Sequence, residues 1–109
     1  YRDTLNPEFI FVPPDREYEI NTWHTFVIQV DRRDDLKQYL ASKGVETSIH
    51  YPIPIHMQPA ARKLGYEQGD LPVTERQAER ILTLPVHQYL SEDQVRDIAS
   101  LVNKFCENN

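Results

Sequence analysis

Hydrophobic and polar positions alternate from Trp23 to Val30, WHTFVIQV, placing His24, Phe26, Ile28 and Val30 on one side and Trp23, Thr25, Val27 and Gln29 on the other. A period of two in a run rich in β-branched and aromatic residues predicts a strand. The period then lengthens: Leu36, Tyr39 and Leu40 share a helical stripe, with Asp31 placed as N-cap, Asp34 near the positive helix end and Gly44 as the left-handed stop. Val45 to Tyr51, VETSIHY, predicts a second strand, ended by Pro52 and Pro54, which cannot donate to a ladder. MQPAARKLGY predicts a short helix that opens at Pro59 and closes at Gly65. After the loop EQGDLP, the TERQ box at Thr74 predicts another helix, reaching to around Leu82. LTLPV alternates as a strand, with Leu82, Leu84 and Val86 on one side and Pro85 marking an edge or an end. A second box, SEDQ at Ser91–Gln94, opens a final helix whose stripe is Val95, Ile98, Leu101, Val102 and Phe105.

Ahead of these elements, residues 1–21 read as a lead-in arm or edge segment, in which the apolar run Phe9–Val12 is closed by Pro13–Pro14. Residues 22–109 carry the alternating strands and helices and read as one domain. So few strands bury both kinds of apolar surface most economically as a layer against helices. The expected class is α+β, a small, mainly antiparallel sheet packed against helices.

Bulk composition narrows the function. A chain of 109 residues supports one core, and 39% hydrophobic with 27% charged residues is a globular composition. No apolar run approaches the roughly 20 residues that a bilayer span requires. A net charge of −5, with no Lys/Arg cluster larger than Arg32–Arg33, argues against a nucleic-acid partner. Cys106 is the only cysteine, which excludes an intrachain disulfide and fits a cytoplasmic protein. The start, YRDTLNPEF, has neither the layout of a signal peptide nor an initiator methionine, so further sequence is expected upstream.

The chemistry-bearing residues concentrate in SIHYPIPIHMQPAARKLGY, Ser48 to Tyr66. On an extended strand His50 points opposite to Ile49 and Tyr51. It is either a plain surface histidine or a group at the sheet rim, where the rigid Pro-x-Pro turn would let it bond a ligand oxygen with little ordering cost. The prolines between His50 and His56 deny the helical spacing on which helix-borne zinc pairs depend, so no metal site is expected. The serines lie in no nucleophile-elbow context, and Cys106 sits near the negative end of the last helix. Lys37, Lys43, Lys63 and Lys104 read as polar-face residues, and Gly44, Gly65 and Gly69 form no phosphate-cradling loop. No complete catalytic machine is present, and no catalytic residue is expected in this chain.

The landmarks H-x-F, R-x-x-L, I-H-Y-P-x-P-x-H-x-Q-P-A, L-G-Y, L-P-x-x-E-R and L-P-V follow one another across residues 22–105. In this order they closely resemble the C-terminal part of the DegT/DnrJ/EryC1/StrS family of pyridoxal-phosphate-dependent sugar aminotransferases. The resemblance implies the small C-terminal domain of a fold-type I aminotransferase, with the cofactor lysine and the large pyridoxal-phosphate-binding domain outside this chain. It implies that an amino acid, usually glutamate, gives its amino group through the cofactor to a keto group on a nucleotide-linked sugar, in a homodimer with active sites near the subunit interface. This fragment alone is then expected to be inactive. By the same resemblance His50 and Tyr51 match positions that face the nucleotide-sugar, and His56 and Gln58 are the next candidates for lining or orienting the substrate. Neutral His and Tyr donors suit a diphosphate or a sugar hydroxyl without a basic patch. Two competing readings are a stand-alone small-molecule-binding or regulatory α+β domain, which fold alone does not exclude, and an RNA-binding module, against which the acidic balance argues.

Overall fold

The computed structural model describes residues 1–108. Its sheet has three strands in the order β1 (Ile10–Phe11), β2 (Phe26–Val30), β3 (Ile81–Leu84), with both pairings antiparallel. Three helices, α1 (Arg33–Ser42), α2 (Pro72–Arg80) and α3 (Glu92–Glu107), and two 3₁₀ turns, Ile55–Met57 and Pro59–Leu64, complete the elements among the described residues. The expected α+β class is what forms.

Register fixes which side chains meet. Ile10 opposes Val30, Phe26 opposes Leu84 and Ile28 opposes Leu82, so all six lie on one face and are buried. Leu36 and Leu40 of α1 and Ala99 and Val102 of α3 close over that face, and Leu5 from the chain start joins the same core. Asn103 of α3 clasps the chain start, donating through Nδ2 to the Thr4 carbonyl at 2.7 Å and accepting the Asn6 amide at 2.8 Å. The opposite face presents Phe11, Val27, Gln29 and Thr83, as the two-residue alternation of a strand requires.

Several boundaries differ from expectation, each for a visible reason. β2 begins at Phe26, not Trp23, because Trp23 has φ 52° and its amide is turned onto Asn21 Oδ1 at 3.0 Å. Asp31 does not cap α1: Arg32, with φ 54°, holds the N-cap position without a side-chain capping bond, its guanidinium reaching Asp35 instead, and Asp31 pairs with Arg80 at 3.2 Å. α2 starts at Pro72 and not at Thr74, since proline at the first helical position already has the φ a helix needs. It ends at Arg80, where Ile81 turns directly into β3.

The predicted strand Val45–Tyr51 shrinks to one bridge, Ser48 to Thr83, with Ser48 N donating to Thr83 O at 3.2 Å and Thr83 N to Ser48 O at 2.7 Å. Lys37 Nζ takes the Thr47 carbonyl at 2.7 Å, and the prolines beyond Tyr51 offer no further amides. The capping box of α3 forms as read: Ser91 Oγ accepts from Gln94 N and Gln94 Oε1 accepts from Ser91 N.

Candidate functional site

The bridge at Ser48 brings the histidine-rich stretch alongside β3. Thr83 lies on the sheet face away from the helices, and its Oγ1 is 2.9 Å from Nδ1 of His50. This bond uses one ring nitrogen and leaves Nε2 of the exposed imidazole for another partner. His50 lines a 260 Å³ groove together with His24, Ser48 and Thr83. His24, remote in sequence from His50, thus reaches the same surface.

After a cis His50–Tyr51 peptide, the chain runs outward through Pro52 and Pro54. Tyr51 is 74% exposed, so its hydroxyl is open to solvent, while its ring stands edge-on to His50 at 5.4 Å. The alternation that would turn Ile49 and Tyr51 together toward the helices holds only for Ile49, which packs against the core. Gln58 is exposed, with only a long 3.4 Å contact from Nε2 to the Ile53 carbonyl.

His56 differs from the other three candidates. It is buried, with Nε2 2.9 Å from Oε1 of Glu75 in the first turn of α2. Glu75 also accepts the Gly69 amide at 2.9 and 3.0 Å, one contact to each carboxylate oxygen. These bonds, His56 foremost and Gly69 next, hold the Glu75 carboxyl below its ordinary range. The sequence candidates therefore separate into His50, Tyr51 and Gln58, which meet solvent, and His56, which meets Glu75. Neither Glu75 nor Thr83 stands out as a site residue in the sequence. The L-P-x-x-E-R landmark contained the signal for Glu75, an acid in the first turn of a helix, but spacing alone cannot show that its partner comes from a turn nineteen residues away.

The lysines do not fit a cofactor site within this chain. Lys37 is engaged by the Thr47 carbonyl, Lys43 lies 5.7 Å over the Tyr39 ring, and Lys63 and Lys104 are exposed on helical turns. Pyridoxal phosphate needs a lysine in an enclosed pocket; nothing among the described residues supplies one. Burial, with Glu107 and Asp31 nearby, pushes the Cys106 thiol up and away from nucleophilic use. Among the described residues no cluster of three or more His, Cys, Asp or Glu could hold a metal, and no helix is long and apolar enough to cross a membrane.

Comparison with known proteins supplies the context. The model of the DegT/DnrJ/EryC1/StrS aminotransferase family matches residues 3–103. The erythromycin biosynthesis sensory transduction protein EryC1 of Saccharopolyspora erythraea is 39% identical over 84 residues, covering 77% of this chain and 23% of that protein. The dTDP-3-amino-3,6-dideoxy-alpha-D-galactopyranose transaminase of Aneurinibacillus thermoaerophilus is 30% identical over 105 residues, covering 96% of this chain and 28% of that protein. Among solved structures, S. venezuelae DesV in complex with a ketimine intermediate superposes with a TM-score of 0.84 at 31% identity, over 91% of this chain and 27% of that one. The chain thus spans 23% and 28% of the length of these two relatives. With the family model matched across almost the whole chain, and the same fold in the solved DesV structure, the chain belongs to the DegT/DnrJ/EryC1/StrS aminotransferase family.

Proposed function

We propose that this chain is the C-terminal domain of a longer, cytoplasmic, homodimeric enzyme that transfers an amino group from an amino acid such as glutamate to the keto group of a nucleotide-linked sugar. The observation that carries the reading is the family match over residues 3–103. Pyridoxal phosphate, held by the rest of the protein, supplies the electron sink for the transfer. This chain's part is to bind and orient the sugar nucleotide.

His50, Tyr51 and Gln58 are the binding groups. In the tautomer where the Thr83 hydroxyl donates to Nδ1, the His50 ring carries its proton on Nε2 and offers a donor to a diphosphate or sugar oxygen. The Tyr51 hydroxyl and the Gln58 amide are exposed and make no competing short bond among the described residues. His56 acts from behind them, as part of the wall that keeps the turn in place.

The test is the visible absorption of the full-length protein purified with pyridoxal phosphate, before and after glutamate. The band of the lysine-bound cofactor is expected to give way to the pyridoxamine form and to return when the keto-sugar nucleotide is added. A folded protein with no cofactor band would refute the aminotransferase reading and favour a small-molecule-binding domain. Within an active enzyme, His50→Ala and Tyr51→Phe are each expected to weaken sugar-nucleotide binding about threefold to tenfold, the worth of one hydrogen bond. The glutamate half-reaction should stay unchanged.

A further inference from the structure

The stretch from His50 to Gln58 is a strap with two anchors. At one end Ser48 exchanges backbone bonds with Thr83, and His50 adds its ring contact to the same residue. At the other end His56 is fixed by Glu75. Both anchor points belong to one uninterrupted piece of chain, because α2 ends at Arg80 and β3 begins at Ile81. The first anchor is built on the sheet. The second has one hydrogen-bonding carboxylate, with the Tyr66 ring edge-on to His56 at 6.3 Å.

Glu75 does more than pair with His56. By also accepting the Gly69 amide, it gathers the 3₁₀ turn at His56, the loop that follows Gly65 and the start of α2 around one group. Its side chain is only 15% exposed and that of His56 only 5%, so solvent competes weakly for these bonds. Arg62, Tyr66 and Glu67 line the hollow beside His56, and the described structure gives none of them a hydrogen bond to the ring. Tyr51 and Gln58 flank the anchored His56 along the chain, and among the described residues neither makes a short side-chain hydrogen bond of its own.

We propose that Glu75 is a positioning residue for sugar-nucleotide binding: its carboxylate locks the far end of the strap through His56 and Gly69 and so sets where Tyr51 and Gln58 present their polar groups. This rests on the reading of the strap as a wall of the substrate cleft. Glu75 touches no substrate; it lowers the ordering cost that the strap would otherwise bear on binding.

The experiment uses the full-length enzyme and compares Glu75→Ala, Glu75→Asp and Glu75→Gln with wild type. The dissociation constant for the aminated nucleotide-sugar product is read by calorimetry, the glutamate half-reaction by absorbance, and amide exchange across residues 51–58 by mass spectrometry. Glu75→Ala is expected to raise the dissociation constant about tenfold, the size of a lost charge-assisted anchor. Glu75→Asp, too short to reach both partners, behaves likewise and carries the test if the alanine variant does not fold. Glu75→Gln, which still offers one acceptor oxygen, recovers most of the affinity. Amide exchange in the strap rises where affinity falls, and the glutamate half-reaction holds. Unchanged product affinity in the Asp and Ala variants overturns the inference, as does an equal loss in both half-reactions, which makes Glu75 a general stability residue. A wild-type enzyme that binds no sugar nucleotide fails at the parent reading instead, and the inference falls with it.

Discussion

Arg33 is a charged residue with 7% exposure, and its environment explains why it is tolerated there. Its Nη1 donates to the carbonyls of Ala78 at 3.1 Å and Ile81 at 2.8 Å, which terminate α2 and begin β3, while Nε meets Asp34 at 2.7 Å. Arg33→Met keeps much of the aliphatic stem but strands one buried and one half-buried carbonyl, so a loss of about 2–4 kcal/mol is expected in urea unfolding. In the sequence this residue was legible only as the first member of R-x-x-L; which carbonyls it serves depends on a contact 45 residues away. Glu75 adds a pH dependence. Its folded-state pKa lies below the ordinary 4.5, through His56 first and Gly69 second. A depressed carboxylate stabilises the fold fully above the unfolded value, and the stabilisation is lost as pH falls through the folded value. Urea midpoints measured downward from pH 6 should therefore decline below about pH 4.5, and less steeply in Glu75→Gln. Equal slopes for the two proteins would rule the carboxylate out as a source of the decline.

At the scale of elements, what could be read from sequence is what local chemistry settles. The α3 capping box needs only Ser91 and Gln94 three residues apart, and both of its bonds form. Ser91→Ala is expected to lower stability by about 1 kcal/mol, the usual worth of a cap, with Ser91→Asp restoring it. Gly65 closes the Pro59–Leu64 turn at φ 82°, a conformation costly for any residue with a Cβ, and it too was legible as a stop. The strands β2 and β3 were visible from their alternation, because a period of two survives whatever the neighbours do. The misread elements are those where a distant group competes. The Val45–Tyr51 strand yields to a lysine from α1 that takes the Thr47 carbonyl. The Asp31 cap yields to an ion pair with Arg80. The candidate site divided in the same way: I-H-Y-P-x-P marked the place, but that His50 would lean on Thr83 and His56 on Glu75 required the sheet register and the seat of α2.

For the molecule as a whole, the uneven distribution of apolar surface carries the last consequence. The helices cover one sheet face completely, down to Ile28, Leu36, Leu40 and Leu82 at 0% exposure. The strap and the turn after it do the reverse, with Ile53, Ile55 and Leu64 all largely in water. Surface aliphatic residues occur singly in many proteins; three within a dozen residues, beside groups read as substrate contacts, suit a face meant to be covered. In the proposed full-length dimer that cover would come from the remainder of the enzyme. Two unfolding experiments separate this from simple exposure. Replacing Ile53 and Ile55 by threonine in this chain should shift its stability by no more than about 0.5 kcal/mol, because side chains already in water have little burial to lose. In the full-length protein the same pair should cost up to about 2 kcal/mol per residue, the value of an aliphatic side chain removed from water. A small shift in both proteins would mean that the strap stays solvent-facing throughout; its prolines and isoleucines would then serve its rigidity alone, and the substrate would have to meet it from an open surface.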